Sequence, residues 1–298
     1  MEQQKILKAA AVLFLSVLLI VLGCAGGKKL AKPYTGEPET GLTLRYSLQP
    51  EKTYQYTSEN DMTQNMEMQG RSMQNKSSSI LKFTVKGKKL DENNNLVFEV
   101  IMDSINSVME GMGGSRELDL SPFMGKSFEV VLSPYGEELQ YIGTDSLQVD
   151  VGQMAGGKIG VKRFFQRVFP DIPEKTIKVG ETWTENDIDT TNQGGMDVVS
   201  NTELKHTFKG IETINGYECV VITSEGDGTL DGKGEQMGNS FVMEGYIEIE
   251  STSYFAYKKG IFIKTESNSF IEGTVAITGA MSMTLPMTIE TKGGVYLD

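Results

Sequence analysis

From Val275 to Ile289 the odd positions read Val, Ile, Gly, Met, Met, Leu, Met, Ile, and the even positions read Ala, Thr, Ala, Ser, Thr, Pro, Thr. A period of two sends alternate side chains to opposite faces of an extended chain, so this stretch predicts a strand with one oily face. Pro286 has no N–H to give to a ladder, which places the stretch at an edge or a bulge. Met62, Met66 and Met68 share one face of an earlier strand, and a phase shift at Gly70 would bring Met73 onto the same face. Turn signals punctuate the alternation. Asn215-Gly216 tolerates the positive φ of a type I′ hairpin, and Asp91 to Asn95 makes a longer turn. Only one stretch has helical spacing: Val161, Phe164, Phe165 and Val168, closed by Pro170, predict one short amphipathic helix.

The strands come in two sets. MQNKSSSILKFTVKG (Met73 to Gly87) aligns without gaps on MDVVSNTELKHTFKG (Met196 to Gly210), with identities at Met73/Met196, Ser77/Ser200, Leu81/Leu204, Lys82/Lys205, Thr84/Thr207, Lys86/Lys209 and Gly87/Gly210. Chance gives about one match over such a span, so a duplication is expected. The flanks keep step. Gly136 and Gly260 mark matching turns, and Tyr54 falls opposite Trp183. The expected fold is therefore mainly β: two tandem repeats of a curved antiparallel sheet, half-barrel or sandwich-like, at 41–143 and 175–298, joined by a linker (144–174) that carries the short helix.

The N-terminus has a different pattern. Lys5 and Lys8 precede an unbroken apolar run, Ala9 to Gly23, that is too short for a permanent bilayer span. Val21, Leu22, Gly23 and Cys24 resemble the lipobox of bacterial lipoproteins. That resemblance implies a signal peptide at 1–23, acylation of Cys24 and, with Ala25 rather than aspartate next, the outer membrane of the cell envelope. The Gly-, Pro- and Lys-rich segment 24–40 reads as a flexible tether from the lipidated cysteine. The body is similar in style to uncharacterised families of β-rich bacterial lipoproteins with a phrase like FPDIPEKTIKVGETWT (Phe169 to Thr184). Its expected curved sheets resemble, at fold level, half-barrel periplasmic lipoprotein carriers.

Charge narrows the partners. The chain has 40 Asp and Glu against 28 Lys and Arg, a net −12, so nucleic acid is not expected. With Cys24 acylated, Cys219 has no disulfide partner and reads as a small buried hydrophobe. Catalytic machinery is absent from the pattern. His206 is the one histidine, there is no GxSxG elbow, and nothing singles out a carboxylate pair. His206 reads as a structural imidazole. EGDGTLDGKGE (Glu225 to Glu235) begins like a calcium loop but has Gly238 at the twelfth position, so it reads as a flexible hairpin tip. No metal and no cofactor are expected. What remains is the methionine. Sixteen are present, and unbranched thioethers suit both irregular cores and adaptable apolar surfaces. The sequence thus predicts a non-catalytic, lipid-anchored envelope protein that binds a hydrophobic ligand, lipid or lipoprotein on faces lined by Met62, Met66, Met68, Met73, Met196, Met281, Met283, Leu285 and Met287. The alternative is a structural or assembly subunit that contacts other envelope proteins.

Overall fold

The computed structural model describes residues 31–298 apart from 48, 51, 69, 112, 152–156, 194–195, 237 and 280–281. The expected signal peptide and Cys24 lie outside the described residues. Two short strands open the body, β1 (Tyr34–Glu37) and β2 (Gly41–Leu44), paired antiparallel with Tyr34 opposite Leu44. Within the segment expected as a tether (24–40), Tyr34 packs edge-on against Tyr257 at 5.0 Å and residues 34–37 pair with β2.

The remaining strands are long. First come β3 (Thr53–Met68), β4 (Arg71–Leu90), β5 (Leu96–Gly111), β6 (Gly114–Glu117), β7 (Ser127–Leu132) and β8 (Glu138–Ile142). A small pair follows, β9 (Gln148–Asp150) and β10 (Lys158–Gly160). The second series is β11 (Thr182–Gln193), β12 (Met196–Ile214), β13 (Tyr217–Gln236), β14 (Asn239–Ala256), β15 (Ile261–Thr278) and β16 (Met283–Leu297). A strand of 20 residues reaches about 65 Å.

All of them except β1, β2, β9 and β10 form one open, antiparallel, 12-stranded sheet in the order β11-β12-β13-β14-β15-β16-β3-β4-β5-β7-β8, with β6 on β5. The sheet is neither a sandwich nor a closed barrel. Strand β16 lies between β15 and β3, so Pro286 is not on an outer edge. Its ladder with β3 nevertheless ends at Met287 opposite Met66, one residue short of the proline. The missing N–H thus falls where no β3 partner is paired.

The expected helix is a single 3-10 turn, Val161–Phe164. The apolar spacing had a different cause. Val161, Phe165 and Val168 are buried, but Arg167 adopts φ 62°, which breaks any helical continuation. This segment and residues 42–47 cover one end of the sheet. Phe165 meets Phe83 at 5.1 Å and Phe128 at 4.9 Å, and Phe169 meets Phe98 at 4.8 Å. Tyr46 meets Phe255 at 5.0 Å and gives its hydroxyl hydrogen to Pro170 O at 2.7 Å. The backbone of 45–47 is clamped between two hairpin turns, with Tyr46 N donating to Pro134 O and Ser47 N to Gly260 O, both at 2.8 Å. A Cβ on Gly260 would stand 2.6 Å from that of Ser47, so only glycine admits this approach.

Candidate functional site

The covered face continues along the strands beyond the aromatic core, and there it changes character. A first transverse row is polar and small: His206, Ser224, Ser251, Ser267, Gly293, Asn60, Ser79 and Ser107 lie side by side on successive strands. Farther out the rows turn apolar. Leu230, Gly245, Gly273, Met287, Met66 and Met73 are in lateral register, and next to them run Val198, Gly232, Met243, Val275 and Leu285.

Glycine sets the shape of this distal trough. A Cβ on Gly273 would meet Glu244 O at 2.4 Å and Gly245 Cα at 2.8 Å; one on Gly228 would meet Asn201 O at 2.1 Å. The sheet is therefore folded sharply toward this face along glycines, and Leu230 and Met287 meet over a floor that has no side chains. Val198, Leu230, Met243 and Met287 form a buried cluster, with Met66, Met196, Ile271, Val275 and Ile289 packed against it. All nine come from strands of the sheet, and no loop residue is among them.

Of the residues expected to line a ligand face, Met66, Met196 and Met287 converge here, and Leu285 joins them one row out at 8% exposure. Met73 faces Met66 directly, from the next strand: Gly70, at φ 75°, belongs to the β3–β4 hairpin and is not a bulge. Met68 shares the face of Met66 in the next row and Met62 lies two rows away beyond Gln64, and Met283 lies opposite Ile277. Met281 lies outside the described residues. Leu230 and Met243 were missed. The alternation Phe241, Met243, Gly245, Ile247, Ile249 could have flagged Met243, whereas Leu230 was hidden in the glycine-rich run taken for a hairpin tip. That run lies inside β13, because its glycines are what the crease requires.

His206 anchors the polar row. It stacks on Trp183 with ring centroids 5.3 Å apart, and its Nδ1 is 2.7 Å from Ser224 Oγ. Its buried Nε2 has no hydrogen-bond partner, with Glu185 Oε2 3.6 Å away. Burial lowers the imidazole pKa, and the Glu185 charge opposes that shift. Tyr56 and Phe83 make the same kind of stack at 5.5 Å on β3 and β4. Cys219 is fully buried, which raises its thiol to about 11 and leaves it unreactive at neutral pH.

Under the covering segment, Glu138 accepts hydrogen bonds from the Tyr141 hydroxyl, from Arg167 N (2.9 Å) and from Phe169 N (3.4 Å). Burial raises its carboxyl pKa, and those bonds pull it back. Loss of surrounding water, then the Glu138 charge, lifts Asp171 to about 6. The opposite face of the central strands is acidic. There Glu59, Asp61, Glu225, Glu250 and Glu266 edge an open polar cavity of about 600 Å³. Among the described residues no group of three or more His, Cys, Asp or Glu is placed to hold a metal, and no helix is long and apolar enough to cross a membrane. No family model matches the chain, and no curated protein matches its sequence.

Proposed function

We propose that this chain is a lipid-anchored, non-catalytic protein of the bacterial cell envelope, held through acylated Cys24, which takes a hydrophobic ligand into the methionine-rich trough of one sheet built from two tandem repeats. The observation that carries this reading is the contrast between the two halves of one sheet face. The proximal half is capped by residues 42–47 and 161–177, whereas among the described residues the distal cluster is formed by side chains of the sheet strands alone. Unbranched Met66, Met196, Met243 and Met287 can rearrange at little cost, and an acyl chain entering among them would replace contacts of like kind. The tandem reading is supported by the matched stacks Tyr56–Phe83 and Trp183–His206. They shift the sequence alignment of the first strand by two residues, so that Trp183 corresponds to Tyr56 and not to Tyr54.

Two measurements test the reading. Delipidated protein should take up a fluorescent fatty acid with saturable binding, and the pair Met66→Gln with Met196→Gln should weaken uptake about tenfold. Both side chains are only partly buried, so the melting temperature should barely move. Absence of saturable uptake refutes the ligand reading. In bacteria fed an alkyne-bearing palmitate analogue, the chain should become labelled and Cys24→Ser should abolish the label; an unlabelled wild-type chain removes the anchor.

A further inference from the structure

Strand β11 is an outer edge of the sheet. It runs in unbroken register on β12, from Thr182 opposite Thr207 to Gln193 opposite Met196, and among the described residues nothing pairs with its other side. Twelve residues of open edge, with no proline, no lysine and no bulge, offer a template for a further strand. The rest of the sheet shows how such an edge is filled. On the two-repeat reading, on which this inference rests, the stack Trp183–His206 matches Tyr56–Phe83 and β11 therefore corresponds to β3. The matching edge of β3 is occupied by β16, antiparallel, with Leu297, Val295, Gly293 and Thr291 opposite Tyr56, Ser58, Asn60 and Met62.

The difference between the two edges lies in charge. Where β3 has Ser58, Asn60 and Met62, β11 has Glu185, Asp187 and Asp189, all on the face of Trp183. Among the described residues, Arg167 lies beside two of them, with Nη1 2.7 Å from Asp187 Oδ2 and Nη2 3.7 Å from Asp189 Oδ2, and His206 lies beside Glu185; Lys175 Nζ stands 5.3 Å from the Trp183 ring centre but is paired with Glu181 Oε1 at 3.1 Å. The Arg167 side chain is half exposed (55%) and belongs to the covering segment, not to a strand. Such an edge repels an acidic strand, including a second copy of this acidic chain, and favours a basic one.

We propose that the free edge of β11 binds an extended segment of a partner protein by strand addition, with lysine or arginine at alternate positions facing Glu185, Asp187 and Asp189 and an apolar residue facing Trp183. Main-chain hydrogen bonds supply the attachment and the carboxylates select the sequence.

Trp183 is the one tryptophan of the chain and reports directly on this edge. The probe is an eight-residue peptide alternating threonine and lysine and ending in leucine, titrated into the full chain at about 50 mM salt, where surface charge is least screened. Two N-methylated versions block its two main-chain edges in turn and keep its charge. The expected result is a saturable change in Trp183 emission, loss of about tenfold or more in affinity for one N-methylated version only, and about fivefold weakening by Asp187→Asn with Asp189→Asn. No binding of the parent peptide, equal binding of both N-methylated versions, or indifference to the double substitution overturns the proposal. The N-methyl comparison uses the unaltered protein, so it stands even if the double variant misfolds. A failure of fatty-acid uptake leaves this result untouched, which separates the two readings.

Discussion

His206 and Asp171 show two opposite ways in which a single residue ties stability to pH. Burial lowers the imidazole below its ordinary value, so the unfolded chain binds this proton more readily than the folded one. The stability His206 contributes is present above its unfolded pKa and is lost as pH falls. Thermal unfolding followed from pH 7.5 to 5.5 should show a decline that shrinks in His206→Phe, which installs the residue found at the matching position, Phe83. Asp171 behaves in the reverse sense. Its carboxyl is raised to about 6, so the folded state prefers it protonated and loses that preference as pH rises through 6. Asp171→Asn should therefore raise the melting temperature at pH 8 and change it little at pH 4. The burial of His206 and Cys219 was legible from their neighbours in sequence, since each alternates with apolar residues. The sequence around Asp171 did not show its surroundings, because its burial, and the Glu138 charge that raises it further, come from a strand brought in by the fold.

At the scale of elements, turns and strands were readable where chemistry is local. Asn215 and Gly216 adopt φ 51° and 80°, as their dipeptide requires, and Asp91 Oδ1 accepts from Asn93 N and Asn95 N at 2.8 Å. Gly216→Val should cost about 1–2 kcal/mol in urea unfolding, the strain of forcing a branched residue into the left-handed region. The glycines of β13, β14 and β15 were not readable, because a glycine that permits a crease looks in sequence like one that makes a loop. Gly273 is the sharpest case. Its Cβ would strike the backbone of β14, and Gly273→Val should destabilise by about 1–3 kcal/mol although φ there is ordinary. The helix at 161–168 failed for a related reason: apolar spacing recorded which side chains are buried, not the backbone path between them.

For the whole molecule, the strand content and antiparallel class followed from alternation, but their union into one sheet did not. Two separate β bodies and one continuous sheet have the same periodicities, and only the placement of β16 between β15 and β3 decides between them. The aromatic cap was likewise hidden, since Phe165 and Phe169 find Phe83, Phe98 and Phe128 only after the linker folds back. Phe165→Ala should lower stability by about 3–5 kcal/mol, checked by urea titration, because the fully buried ring leaves a cavity lined by rigid aromatics.

The seam formed by β16 also bears on how the protein comes to be folded. Its ladder joins residues more than two hundred positions apart, as Tyr56 opposite Leu297 illustrates, so the two flanking strands cannot be sutured until that late segment has emerged. Until then β3 and β15 both present raw margins, and closing so large a loop is slow. A proteolytic nick that removes β16 should consequently split the architecture into two sticky halves, and any cell making this chain must shield it through that interval.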